Sequence, residues 1–267
     1  MTTAPETGKR MRDGATLARV RSVSRAVAIL RCFSPGRTHM MLGDITNLTQ
    51  LDAGTTRRLL VTLRDEGLIG QAPDGRYHLT LQVMRLAAAV PEGRSLRELA
   101  QDHLRALAET TGLTVLLSVL QDGKPVCIAR EHGDSPVQVR WWPVGESMPL
   151  NCGAAPRLHL AHMPEADQEA VLAGPLPALT RHSITNPIAL RDKLTTVREQ
   201  GWSLSTDDVV EGLAALASPV RDPSGDVIGA VSVGGLITTI SGADGQPHPE
   251  LLTAVIDTCS QISDRLH

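Results

Sequence analysis

The 267 residues include only four cysteines, Cys32, Cys127, Cys152 and Cys259, set far apart with no C-x-x-C pair. That spacing excludes a disulfide framework and a zinc knuckle. No apolar run approaches the roughly 18 residues that a membrane-spanning helix needs. The opening stretch MTTAPETGKRMRDG lacks the apolar core of a secretory signal, so the expected location is the cytoplasm, with no membrane partner. A P-loop, a dinucleotide fingerprint and a nucleophile elbow are equally missing. Gly229-Ala230-Val231-Ser232-Val233-Gly234-Gly235 superficially looks like a serine motif, but no strand-to-helix turn follows to expose Ser232. Neither an enzymatic activity nor a cofactor is expected.

What is present is an ordinary globular composition, 42% hydrophobic and 21% charged, which excludes wholesale disorder. The charge is unevenly divided. Residues 1–90 hold 13 Lys+Arg against 7 Asp+Glu, net +6, and residues 91–267 hold 13 against 22, net −9. A basic first third joined to an acidic remainder implies that the first third meets a polyanion, nucleic acid or a membrane surface.

Pattern decides between them. Ser22 is positioned to cap a helix with Val23, Ala26, Val27, Leu30 and Phe33 inward, stopped by Ser34-Pro35-Gly36. A second short helix carries Leu42, Ile45 and Leu48. Asp52 then offers an N-cap for a third, Ala53 to Glu66, whose Thr56, Leu59, Leu60 and Leu63 share one face while Gly54, Arg57, Arg58 and Val61 share the other. Guanidinium groups on that outer face reach phosphates or guanine edges in a major groove. Thr55 at the flank adds a contact to phosphate. Leu68 to Ala72, a Pro73-Asp74-Gly75 turn, and Arg76 to Leu79 read as a β-hairpin with Arg76 on it. Three helices and a hairpin give a winged helix-turn-helix that binds double-stranded DNA.

Farther on, Ser95-Leu96-Arg97-Glu98 reads as a capping box opening a helix with Leu96, Leu99, Ala100, Leu104, Leu107 and Ala108 inward. Thr114–Leu120 and Val126–Ala129 flank Asp122-Gly123 as a hairpin, with Val137–Trp142 as a third strand. The stretch from Gly145 to Pro156 is a loop running into a helix, whose small residues and proline leave N–H groups free for a carboxylate. Asn186-Pro187 starts a helix that Gly201 ends, and a second hairpin, Ala214–Val220 and Val227–Leu236, follows. Leu251, Leu252, Val255, Ile256, Cys259 and Ile262 stripe a terminal helix. Helices mixed with antiparallel hairpins indicate an α+β fold. Trp141-Trp142 suit either an aromatic ligand or a core or dimer contact.

The runs SVSRAVAILRCF and LGDITNLTQLDAGTTRRLLVTLRDEGLIGQAPDGRYHLT resemble the DNA-binding domain of the IclR family of bacterial transcriptional regulators, with Thr55, Arg58, Leu59, Leu60, Leu63, Gly67, Tyr77 and Leu79 on its pattern. Gln50 stands where that family commonly has a turn glycine, Gly54 where it has Ser, and Arg57 where an aromatic or His is frequent. The resemblance implies a flexible basic tail (1–18), a winged helix-turn-helix (19–79), a linker helix (80–93) broken by Pro91 and Gly93, and a GAF-like effector-binding domain (94–267). It implies a homodimer or dimer of dimers on an operator, with repression the expected sign and a small organic acid or aromatic effector. Candidate DNA contacts are Arg21, Gly54, Thr55, Arg57, Arg58 and Arg76. Candidate effector residues are Val137, Met148, Ala154, Ala155, Asp208, Ala215, Ser232 and Gly234, with Asn151, Cys152 and Gly153 beside them. Pro156-Arg157 replaces the family's usual Gly-Lys. Cys152 at a helix start also suggests a thiol-based redox regulator, the alternative reading. With His159 and His162 it suggests, more weakly, a metal site, because imidazole and thiolate are suitable ligands.

Overall fold

A computed structural model describes residues 20–34, 36–89 and 94–266, although the side chains of Ala88, Arg94 and Ser95 lie outside the description. The chain divides into two compact units, 1–90 and 91–267.

The first unit holds helices α1 (Arg21–Leu30), α2 (Leu42–Thr49) and α3 (Ala53–Asp65), the hairpin strands β1 (Ile69–Gln71) and β2 (Tyr77–Leu79), and helix α4 (Gln82–Ala88). Ile29, Ile45, Leu60, Leu63 and Ile69 form its core, with Thr56 buried beside them. Two expectations need correcting. Helix α1 begins one residue before Ser22, with Val20 as a cap that has no side-chain bond. Its inward face is also only partly the expected one: Ala26, Leu30 and Phe33 pack against the core and Ile29 and Cys32 are buried in it, whereas Val23 is 59% and Val27 38% exposed, and on α2 Leu48 is exposed as well. The reason is that Ile29 and Cys32 meet the α2–α3 core, and on a 3.6-residue period Val23 and Val27 lie too far round the helix from Ile29 to share it. Of the expected linker, α4 lies within the description and residues 90–93 lie outside it, as do the tail and the side chain of Ser95 in the expected capping box.

The second unit contains α5 (Arg94–Thr111), β3 (Thr114–Gln121), β4 (Lys124–His132), α6 (Ala154–His162), α7 (Glu165–Leu172), α8 (Pro187–Gln200), β5 (Ser203–Thr206), β6 (Leu213–Arg221), β7 (Val227–Leu236), α9 (Ile237–Ile240) and α10 (Pro249–Asp264). All five strands pair antiparallel in the order β4-β3-β7-β6-β5. Alternation on the strands sends Val115, Leu117, Val231 and Val233 to the face covered by α5 and α10. Leu116 and Ala230 go to the other face, under α6 and α8. Burial on both faces explains why β3 reads as a continuous apolar run. Ile256 on α10, expected inward, is 40% exposed.

Val137–Trp142 is not a strand. The edge of β4 that it would have joined is occupied by the loop after it, through Gly145 N–H to Cys127 O at 2.7 Å and Cys127 N–H to Glu146 O at 3.1 Å. The Val139 N–H instead donates to Thr114 Oγ1 at 3.0 Å. The segment thereby lies across the sheet face, with Val139 packed over Gly234. A Cβ on Gly234 would come within 2.9 Å of Val139 Cγ2, so this close approach requires glycine.

Candidate DNA-binding and effector sites

Asp52 fixes the start of α3: its Oδ1 accepts the Thr55 N–H at 2.8 Å, and that bond holds the carboxyl below its ordinary pKa. With the helix set by this cap and by Thr56, Leu60 and Leu63 beneath it, Gly54, Arg57 and Arg58 stand in water on one face. Arg58 Nη2 lies 3.5 Å from Thr55 Oγ1, and Thr55 is half-buried. The turn before α3 passes through Gln50 in the left-handed region, φ 54°. This accounts for the glycine that resemblance places there. On the hairpin, Arg76 is exposed but engaged: Nε donates to Asp74 Oδ2 at 2.7 Å, a pairing that the sequence reading missed. Arg21 is exposed at the start of α1, on a different helix from the arginines of α3.

In the second unit the N-cap of α6 is Gly153, at φ 91°, where a side chain would be strained. Its N–H donates to Asp208 Oδ2 at 3.1 Å. Arg157, one turn into α6, pairs with the same carboxylate, and Ser205 Oγ donates to its other oxygen. Arg157 also reaches Asn151 O and Leu204 O, each at 3.2 Å. Both members of the pair are buried, so these bonds offset a large desolvation penalty. The loop bearing Asp208 is tied further by Thr180 Oγ1 to Asp207 O and Ser183 Oγ to Asp208 O, each at 2.7 Å.

A cavity of ≈ 20 Å³ opens at this helix end. Met148, Gly153, Ala154, Ala155, Asp208, Ala215, Ser232 and Gly234, all expected there, line it. Val137, Asn151 and Cys152 do not. Asn151 is buried and spends its Nδ2 on Pro177 O and Ile184 O. Sequence reasoning did not place Leu116, Ser205 or Val209 on the wall, and it left Trp141 and Trp142 undecided. Both tryptophans line the cavity, and Trp142 Nε1 is fixed on Glu146 O at 2.7 Å. The role of Arg157 was missed too, although one arginine in the run Ala154 to Ala161 was a signal of a buried charge needing a partner. As the first two residues of α6, Ala154 and Ala155 have N–H groups with no helical acceptor.

Cys152 is buried, its Sγ 3.4 Å from Pro177 O, and burial raises its pKa. A reactive thiolate needs the opposite shift. His159, weighed in the sequence as a metal ligand, is buried against Ser118 Oγ at 3.0 Å, and burial drives its pKa down to about 4. His162 is held by Leu158 O at 2.9 Å on the same helix. Among the described residues no group of three or more His, Cys, Asp or Glu side chains converges on a point suited to a metal. No described helix is long and apolar enough to cross a membrane.

Comparison with known proteins agrees with both units. The IclR helix-turn-helix domain model matches residues 22–73, and the model of the bacterial transcriptional regulator IclR C-terminal domain matches residues 88–264. The chain belongs to the IclR family of transcriptional regulators. It is 33% identical to the glycerol operon regulatory protein of Streptomyces griseus over 91% of this chain and 95% of that one. The IclR transcriptional regulator of Alicyclobacillus acidocaldarius is 25% identical, with a TM-score of 0.75 over 94% of this chain and 100% of that one. An IclR homolog of Microbacterium hydrocarbonoxydans, solved in complex with 4-hydroxybenzoate, shares the fold at a TM-score of 0.78 and 22% identity, over 92% of this chain and 98% of that one. As an IclR regulator the protein has a helix-turn-helix DNA-binding domain and a ligand-binding C-terminal domain. It belongs to a family of regulators, not of enzymes.

Proposed function

We propose that this IclR regulator is a repressor that binds an operator as a homodimer, alone or paired into a dimer of dimers, and that a small carboxylic acid, aromatic in its simplest form, controls its affinity. The DNA-binding part is 19–79 and the effector-binding part 94–267. The observation that carries the effector class is the end of α6. Two backbone N–H groups without helical acceptors, at Ala154 and Ala155, meet a wall of Trp141, Trp142, Met148 and Leu116. Asp208 does not oppose an anion there, because Arg157 balances its charge. A carboxylate on the helix end with its apolar body on the tryptophans uses both features.

Dimerisation is supported by apolar side chains that one copy leaves in water. Val20, Val23 and Val27 recur along one face of α1, and Leu81 and Met84 share a face at the start of α4. Exposed stripes of this kind favour self-association, and paired half-sites mirror it. The effector acts by binding one arrangement of the protein better than another, which shifts the population able to hold DNA.

The discriminating experiment is calorimetric titration of the full chain with 4-hydroxybenzoate and with 4-hydroxybenzyl alcohol, which keeps the ring and lacks the carboxylate. The acid binds at least about tenfold more tightly if the helix end holds an anion. Equal affinity for the two removes the carboxylate from the account.

A further inference from the structure

Met148 is a wall with two sides. One side lines the cavity at the end of α6; the other lines a groove of ≈ 550 Å³ that runs between the β3–β4 turn at Lys124 and the segment after α7. The two spaces differ in kind. The first has room for about one water, whereas the second falls within the roughly 300–1,000 Å³ typical of small-molecule sites. A ring-bearing acid seated on Ala154 and Ala155 therefore requires a wall to move.

Most walls cannot. Leu116, Ser232 and Gly234 are sheet residues, Trp142 is hydrogen-bonded to Glu146, and Asp208 is held by Arg157, Ser205 and Gly153. Met148 differs. Its backbone is fixed, with N–H to Pro125 O at 3.3 Å and a bridge between Val126 and Ser147, but its half-buried side chain has three rotatable bonds. The groove beyond is walled by prolines, Pro125, Pro149, Pro175 and Pro177, which keep its shape while the thioether swings. Lys124 at its rim is a cation that draws an anion toward the mouth.

We propose that the groove is a second lobe of the effector site, gated by the Met148 side chain, and that the effector is a carboxylic acid with an extended apolar chain. The carboxylate rests on the α6 N-terminus and the chain passes Met148 into the proline-walled groove. This rests on the carboxylate reading given above, and adds to it the length of the ligand and its route of entry.

The test is a chain-length series, hexanoate, octanoate and decanoate, titrated against the full-length protein beside 4-hydroxybenzoate. Affinity rises at least about tenfold from hexanoate to decanoate, as four more buried methylenes require. Ala170→Trp places an indole in the groove from an exposed position of α7 and abolishes that gain, while its melting temperature and operator binding verify the fold. Met148→Ala, which removes the gate, tightens decanoate relative to hexanoate. If 4-hydroxybenzoate and hexanoate bind but affinity is flat with length, or if Ala170→Trp keeps the gain, the second lobe is wrong and the carboxylate reading stands. If no acid of any length binds, the carboxylate reading falls and this inference with it.

Discussion

Gly153 and Asp208, 55 residues apart in sequence, are joined by the Gly153 N–H donating to Asp208 Oδ2 at 3.1 Å. That bond sets the direction of the α6 N-terminus, and Arg157 completes it by neutralising the carboxylate. Asp208→Ala leaves a buried guanidinium without its partner and is expected to lower stability by about 3–5 kcal/mol in urea unfolding. The double variant Arg157→Met with Asp208→Leu removes both charges and is expected to be more stable than Asp208→Ala. A double variant worse than the single would show that the pair does more than satisfy itself.

Ala154→Pro deletes one of the two N–H groups assigned to the effector. Proline is well suited to this first helical position, and Gly153 before it, at ψ 161°, is outside the helical region that a following proline disfavours. Stability should be retained while 4-hydroxybenzoate binds about tenfold or more weakly, the share of a charge-assisted hydrogen bond. Unchanged binding in calorimetry would place the acid elsewhere.

Acid should destabilise the second unit through His159. Its imidazole titrates at about 4 in the fold against 6.5 outside it. Below pH 6.5 the unfolded chain takes up a proton that the folded chain refuses, so stability is full above 6.5 and falls as pH drops toward 4. The complete loss is about 3 kcal/mol. Urea midpoints of His159→Gln at pH 7.5 and 5.0 should differ less than those of the wild type. His162, whose pKa is also lowered by burial, leaves a remainder.

The turn of the helix-turn-helix carries a removable strain. Gln50 sits at φ 54°, although its Nε2 recovers a bond to Asn47 O at 2.6 Å. Gln50→Gly should raise the melting temperature of the first unit, by about 1 kcal/mol in stability, because the left-handed region costs a side chain 1–2 kcal/mol. A lower melting temperature would mean that the Asn47 bond outweighs the strain.

Arg58 stands in water on α3, with no acidic side chain bonded to it among the described residues. Arg58→Ala should leave unfolding unchanged and weaken operator binding by about 1–3 kcal/mol, read by fluorescence anisotropy. If only phosphate is contacted, the salt slope falls by about one and all sequences weaken alike. Wild-type affinity would exclude Arg58 from the interface.

Features written in a few adjacent residues were legible. Asp52 and Asn186 cap their helices as their chemistry requires, the latter through Oδ1 accepting Ile188 N–H at 2.9 Å, and Gly201 ends α8 at φ 77°. The hairpins around Asp122-Gly123 and Asp222-Gly225 follow from the same local rules. What failed depended on distant partners. Val137–Trp142 has the alternation of a strand, but β4 had already given its edge to Gly145 and Glu146. Val23 and Val27 fit a helical stripe as well as Ile29 does, and only the position of α2 and α3 chooses between them. The Arg157–Asp208 pair spans 51 residues, and no spacing rule reaches so far.

The central claim is that acid bound at the α6 end changes the hold of α3 on DNA. It is tested most directly by titrating labelled DNA from upstream of the protein's own gene with the full chain, against scrambled competitor, with and without saturating 4-hydroxybenzoate. Binding that resists the competitor, weakens with salt and is reduced at least about tenfold by the acid is the predicted result. Specific binding that the bound acid leaves unaltered would contradict it.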